Sequence, residues 1–334
     1  MISGVLGGAM VLAIALVAVM VVRSNGSSSK SPQAAGFSAT NSASGSSGAA
    51  PSAKASTSGN PKKTAKPSAS AKASKTGKSS SSSTHAAATA VPSVLTVPAG
   101  YKLAFDPGFS GSALSSTWST CYDWATSASA GCTNNPSTEK EWYVPSQVQV
   151  SGGAVNLTAK QETTQGQSSS GAAQTYACRS GMVSSKPGFS FTYGLISVTA
   201  KIPYGPGLWP ALWLAATNDQ WPPELDIMEH WYSEQDYKIY DHTVGTAYVG
   251  GPVPTPVNLS AGFHTYSLLW TKDRVTWYLD GVEKYTTTDH VPQQSMYFIA
   301  NVADRIPDGT TGTSIAPGDC NGTMQIQSVK VWQP

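Results

Sequence analysis

Three carboxylates stand within six residues in the segment Glu224-Leu225-Asp226-Ile227-Met228-Glu229. Acidic side chains are poor strand formers, so their placement among apolar neighbours calls for a reason. In a regular strand Glu224 and Asp226 share one face and Leu225 and Ile227 the other, while Glu229 points away from its acidic partners. One extra residue, a β-bulge at Ile227-Met228, returns Glu229 to their face. The expected result is a row of three carboxylates on a solvent-facing cleft. Two carboxyl groups so placed can cleave a glycosidic bond: one attacks the anomeric carbon and the other protonates the leaving oxygen. A separation of about 5–5.5 Å gives retention of configuration. Asp226 between them can hold one partner's pKa high while the other stays ionised. Cation binding fits less well, because three acids on one strand wrap Ca²⁺ poorly. Leu225, Ile227 and Met228 argue against an exposed acidic edge.

The flanks are aromatic. Trp209 and Trp213 precede the carboxylates, and Trp221 and Trp231 bracket them. Indole faces stack on the C–H face of pyranose rings, so all four are candidate substrate-binding residues. His242, just beyond, is a candidate hydrogen-bond partner for a sugar hydroxyl. These residues need a scaffold of strands. In Leu195–Ile202, Ile196, Val198, Ala200 and Ile202 alternate with Ser197, Thr199 and Lys201. Val275, Trp277 and Leu279 alternate with Thr276 and Tyr278 ahead of Asp280-Gly281, a strong hairpin signal. Phe263–Trp270 and Met324–Trp332 read as further strands, and no window carries a 3.6-residue period with caps at both ends. The fold class predicted is all-β, a sandwich of two antiparallel sheets.

Composition divides the 334 residues sharply. Residues 1–100 hold nine Lys and Arg and no Asp or Glu, which leaves twelve basic against nineteen acidic residues, a formal −7, in 101–334. That balance disfavours a nucleic-acid partner. Charged residues form 12% of the chain, about half the usual share, which excludes coiled coils and amphipathic bundles. Ile2–Val22 is uncharged and long enough to span a bilayer as a helix, so 1–23 reads as a transmembrane anchor or an uncleaved signal. Residues 24–98 read as a disordered Ser/Ala/Lys-rich linker, with 21 Ser between Ser24 and Ala90. The remaining 99–334 form the domain. An extracellular location, tethered to the membrane or secreted, follows. Four cysteines all lie in this domain, without C-x-x-C or zinc-like His spacing. They read as two disulfides. Of three pairings, Cys121–Cys132 with Cys178–Cys320 is the one expected. No metal site and no cofactor required for catalysis are expected, a structural Ca²⁺ not being readable from sequence. A monomer is expected.

These residues resemble glycoside hydrolase family 16, the concanavalin-A-like jelly rolls that include laminarinases and lichenases. The resemblance covers nearly all of 101–334. Leu103-Ala104-Phe105-Asp106 to Trp118 looks like the family's opening strand and loop, and Tyr193-Gly194 to Ala200-Lys201 its framework strand. Gly207-Leu208-Trp209-Pro210-Ala211-Leu212-Trp213-Leu214 resembles its Trp-Pro segment. Phe263-His264-Thr265-Tyr266 to Asp280-Gly281 looks like its late hairpin, and Val329-Lys330-Val331-Trp332 its closing strand. The bulged acidic motif is of the laminarinase-like type. By that resemblance Glu224 is the nucleophile, Asp226 the assisting carboxylate and Glu229 the general acid/base. Trp221-Pro222-Pro223 departs from the family's usual approach to the nucleophile and bears on the neighbouring subsites.

The function expected is retaining, endo-acting hydrolysis of β-1,3-linked glucan, with mixed β-1,3/1,4-glucan as a second substrate. A non-catalytic glycan-binding sandwich and a transglycosylase on the same scaffold are the alternatives. A lectin has no need of three acids in this register. Lys201 and Lys238 are the only Lys or Arg between 187 and 271, so an acidic cleft is expected to favour a neutral polysaccharide.

Overall fold

The computed structural model describes residues 95–125, 131–134, 139–168, 171–231, 233–242, 248–305 and 319–334. The anchor expected at 1–23 and nearly all of the linker at 24–98 lie outside them. Among the described residues no helix is long and apolar enough to cross a membrane.

The described chain is built from strands. They are β1 (Lys102–Phe105), β2 (Glu141–Tyr143), β3 (Val148–Ser151), β4 (Ala154–Gln167), β5 (Ala173–Ser180), β6 (Met182–Ser184), β7 (Gly194–Lys201) and β8 (Leu208–Ala216). After them come β9 (Glu224–Glu229), β10 (Asp236–His242), β11 (Val249–Pro254), β12 (His264–Trp270), β13 (Val275–Leu279), β14 (Val282–Thr287), β15 (Met296–Asp304) and β16 (Gly322–Gln333). The larger sheet runs β14-β13-β12-β7-β16-β4-β5-β2, with β1 against β16 and β3 against β4. The smaller runs β11-β10-β9-β8-β15-β6. Every pairing is antiparallel except β2 with β5, so the sandwich expected from the alternation is present.

Alternation decides what each sheet buries. Ile196, Val198 and Ala200 of β7 and Leu268, Trp277 and Leu279 of β12 and β13 meet Leu212, Leu214, Leu225, Ile227 and Phe298 of the smaller sheet in one core. Trp270 and Trp277 are 0% and 1% exposed. Filling the core with such rings is worth roughly 3–5 kcal/mol per ring against truncation. Between β13 and β14, Asp280 and Gly281 both take positive φ (50° and 75°), the turn that matches strand twist in a two-residue hairpin. The Asp280 carboxylate accepts the Thr265 backbone N–H at 2.8 Å, so the turn is also tied to β12.

The smaller sheet is covered on its second face as well, but only in part. Ala211, Trp213, Ala215, Tyr297 and Ile299 pack there against Tyr122, Tyr143 and Cys132, which arrive from the chain before β3. Cys121 is joined to Cys132 within this cover, and Cys178 of β5 to Cys320 just before β16. At the margin of this cover the face opens as a cleft lined by residues of β8, β9 and β15.

Candidate active site

β9 is an interior strand, between β8 and β10. Its ladder slips on both sides. Met228 faces Leu212 and Asp226 faces Trp213 on β8, while Glu229 faces Lys238 and Asp226 faces Tyr240 on β10. Two residues of β9 thus oppose one neighbour, which is the bulge expected at Ile227-Met228. Leu225, Ile227 and Met228 enter the core, and Glu224, Asp226 and Glu229 fall on the cleft face. Across β8 the two glutamates stand beside Ala215 and Ala211, whose short side chains leave lateral room, and Asp226 beside Trp213.

The carboxylates are less open than the sequence implied. Asp226 is 2% and Glu229 7% exposed, and only Glu224 keeps a fifth of its side chain in solvent. Covering aromatics cause this, and each carboxylate has its own donor. Trp221 Nε1 donates to Glu224 Oε2 at 2.8 Å and Trp209 Nε1 to Glu229 Oε1 at 2.7 Å. His242 Nε2 lies 3.0 Å from Asp226 Oδ2 and 3.7 Å from Glu224 Oε1. His242, expected at a sugar hydroxyl, is therefore aimed at the acids. The polar edges of Trp209 and Trp221 serve the acids too.

Burial dominates the electrostatics. It pushes Glu224 up to about 8, with the charge of Asp226 adding and His242 opposing. It raises Asp226 to about 7. Glu229 is held well above the ordinary carboxylate range by burial, then by Asp226 and Glu224. Three acids this close and this dry do not all ionise together near neutral pH. Glu229, enclosed and raised further by the charges of both other acids, is the one placed to keep a proton. Glu224 has more solvent, accepts from Trp221 and has the His242 ring 3.7 Å away. Glu224, Asp226 and His242 also bring one donor atom each within 4.8 Å of the others, but a cation would be held from one side only.

The remaining candidates fall around the same cleft. Trp213 lines it with the carboxylates, its Nε1 donating to Asn301 at 2.8 Å. Trp231 meets Trp209 edge to face at 5.4 Å. Sequence reasoning missed several neighbours. Tyr122, Glu139 and Asn301 line the wall, and Trp124, 40% exposed, stacks on Tyr122 at 4.7 Å. Arg305, just past β15, lays its guanidinium 4.8 Å from the Trp209 ring and 4.6 Å from that of Trp231. Lys238 Nζ lies 4.8 Å from the Trp231 ring. The count of basic residues between 187 and 271 thus omitted a cation at the cleft, because β15 is adjacent in the sheet but distant in the chain. No local signal marked Arg305.

Comparison with known proteins agrees with this geometry. The family model described as "Glycosyl hydrolases family 16" matches residues 137–316. The chain is 28% identical over 233 residues to the endo-1,3-1,4-beta-glycanase ExsH of Rhizobium meliloti, covering 65% of this chain and 48% of that protein. It is 31% identical over 204 residues to the endo-1,3-1,4-beta-glycanase EglC of the same organism, covering 57% and 42%. The chain therefore spans about half the length of these curated relatives. Among solved structures, the catalytic domain of an endo-1,3-beta-glucanase (laminarinase) from Thermotoga petrophila superposes with a TM-score of 0.58 at 25% identity, over 70% of this chain and 98% of that one.

Proposed function

The chain belongs to glycosyl hydrolase family 16, and from that membership we propose that its domain hydrolyses β-1,3-linked glucan internally, with retention, taking mixed β-1,3/1,4-glucan as a second substrate. The observation that carries the reading is the row Glu224, Asp226, Glu229 on one strand face, each acid with its own N–H donor or imidazole. In the first step Glu224 attacks the anomeric carbon while the Glu229 proton passes to the leaving oxygen, and a glycosyl ester forms on Glu224. Water then attacks that carbon, Glu229 takes the water proton, and Glu224 departs as carboxylate. The donors select the oxygens. Trp221 engages Oε2 of Glu224 and leaves Oε1 to attack; Trp209 engages Oε1 of Glu229 and leaves Oε2 to carry the proton. Asp226 stands between them, with its Oδ2 3.0 Å from His242 Nε2.

The aromatic cleft, and relatives such as a glucan endo-1,3-beta-glucosidase and the laminarinase domain from Thermotoga petrophila, support a β-glucan substrate. Digests of laminarin, mixed-linkage glucan, agarose and carrageenan, with and without added acceptor oligosaccharide, test this. A ladder of laminarin oligosaccharides without acceptor products is expected. Turnover confined to a charged galactan, or glycosyl transfer to acceptor in place of hydrolysis, would overturn it.

We infer further that the domain works outside the cell on a tether. The uncharged stretch Ile2–Val22, the Ser-rich spacer and the two disulfides of an oxidising compartment support this. Fractionation of cells expressing the full chain checks it: the protein is expected in the membrane fraction after a carbonate wash, and recovery in the cytosol with free thiols is the contrary result.

A further inference from the structure

The bulge in β9 is held from the opposite sheet. Trp277 stands on β13 of the larger sheet, 1% exposed, with its ring in the core. Its Nε1 donates at 2.8 Å to the backbone carbonyl of Asp226, the residue where the ladder of β9 slips against both neighbours. A ladder carbonyl points along the sheet toward the next strand. One that accepts from a side chain in the facing sheet has tilted out of it, as a bulge requires. Left without a partner in so apolar a place, that carbonyl would lose the free energy of a buried hydrogen bond. A regular strand would keep the carbonyl in the ladder and turn Glu229 away from Glu224.

We propose that Trp277 is a positioning residue of the active site: its indole N–H holds the β9 bulge in place and thereby fixes the spacing of Asp226 and Glu229 from behind. This rests on the assignment of those acids to glycan hydrolysis. Trp277 touches neither the substrate cleft nor a carboxylate side chain in any contact described above, so its influence runs through the backbone alone. The molecule supplies a matched control. Trp270 on the adjacent β12 is equally buried and donates its Nε1 to the Pro292 carbonyl at 3.0 Å, away from β9.

The test compares Trp277→Phe with Trp270→Phe. Both remove an indole N–H and leave a similar void. Misplacement of a catalytic group by about 1 Å lowers rates roughly a hundredfold, so Trp277→Phe is expected to lower kcat on laminarin about ten- to a hundredfold with KM unchanged. Trp270→Phe is expected to leave kcat within about twofold. Hydrogen exchange read on peptides spanning 224–229 is expected to speed up in the first variant and not in the second. If Trp277→Phe does not fold, benzothiophene in place of the Trp277 indole, the same shape without the N–H, decides by the same measurements. Unchanged kcat and unchanged exchange in β9, or equal losses in the two Phe variants, overturn the inference. If the wild-type protein cuts no glucan, the functional assignment fails instead, and the exchange comparison alone judges the role of Trp277.

Discussion

Strands β7 and β9 sit near the middle of the two sheets and obey different rules. Every residue of β7 from Gly194 to Ala200 has its own partner on β12, and Ile196, Val198 and Ala200 enter the core. β9 breaks register against both neighbours and puts three acids on its outer face. The regular strand needs only its own alternation to be placed, since one face has a core to fill. The bulged strand holds its shape only with help: Trp277 from the facing sheet, Trp209 from β8, His242 from β10 and Trp221 from the approach loop. Stability is concentrated in the first and chemistry in the second.

The largest effect should come from making β9 resemble β7. Deleting Ile227 and Met228 together leaves a regular strand in which Glu229 directly follows Asp226, an odd step that turns Glu229 toward the core, where an unpaired carboxyl group costs several kcal/mol. Activity on laminarin is expected to vanish and the urea midpoint to fall sharply. Retained turnover would show that the bulge is dispensable.

Next in size, Glu224→Gln should lower kcat at least about 10⁴-fold, as loss of a nucleophile does. Glu229→Gln should lower it roughly 10²–10⁴-fold, the usual contribution of a general acid. Both should keep the wild-type circular dichroism spectrum. Azide with an activated glycoside should rescue Glu224→Gly to a product of inverted configuration and Glu229→Gly to one of retained configuration. Ser197→Ala on β7, which removes only a hydroxyl bonded to Ser267, should leave kcat unchanged.

A third effect is a pH dependence that arises from β9. Its acids have folded pKa values above the unfolded value of about 4, with Asp226 at about 7 and Glu224 at about 8. Between those limits the folded state binds more protons than the unfolded one, so stability falls as pH rises through the window. Glu224→Gln should therefore be more stable than wild type at pH 8, by more than about 1 kcal/mol, and nearly equal to it at pH 4. Urea melts at the two pH values check this; a larger gain at pH 4 would have the wrong sign.

The smallest effect on function should come from the core of β7. Val198→Ala removes two buried methyl groups and should cost about 2 kcal/mol, read as a lower urea midpoint with kcat unchanged.

Much of this contrast was legible in the amino-acid order. The alternation of Ile196, Val198 and Ala200, the Asp280-Gly281 hairpin and the odd spacing of Glu229 from Glu224 are local facts. Period-2 geometry converts such facts directly into faces. The family resemblance rested on the same segments, and the model match at 137–316 agrees with it. What the chain order by itself determined, then, is the set of strands, the acids that share a face and the place where one residue too many must bulge. Tertiary structure alone decided how those acids are served. Arg305 reaches Trp209 across nearly a hundred residues, His242 turns to Asp226, two indoles give their N–H groups to glutamates, and Trp277 reaches β9 from the other sheet. Each of these is a directional contact between strands that are neighbours in space and strangers in sequence. Such contacts depend on sheet order and register, which no single strand encodes.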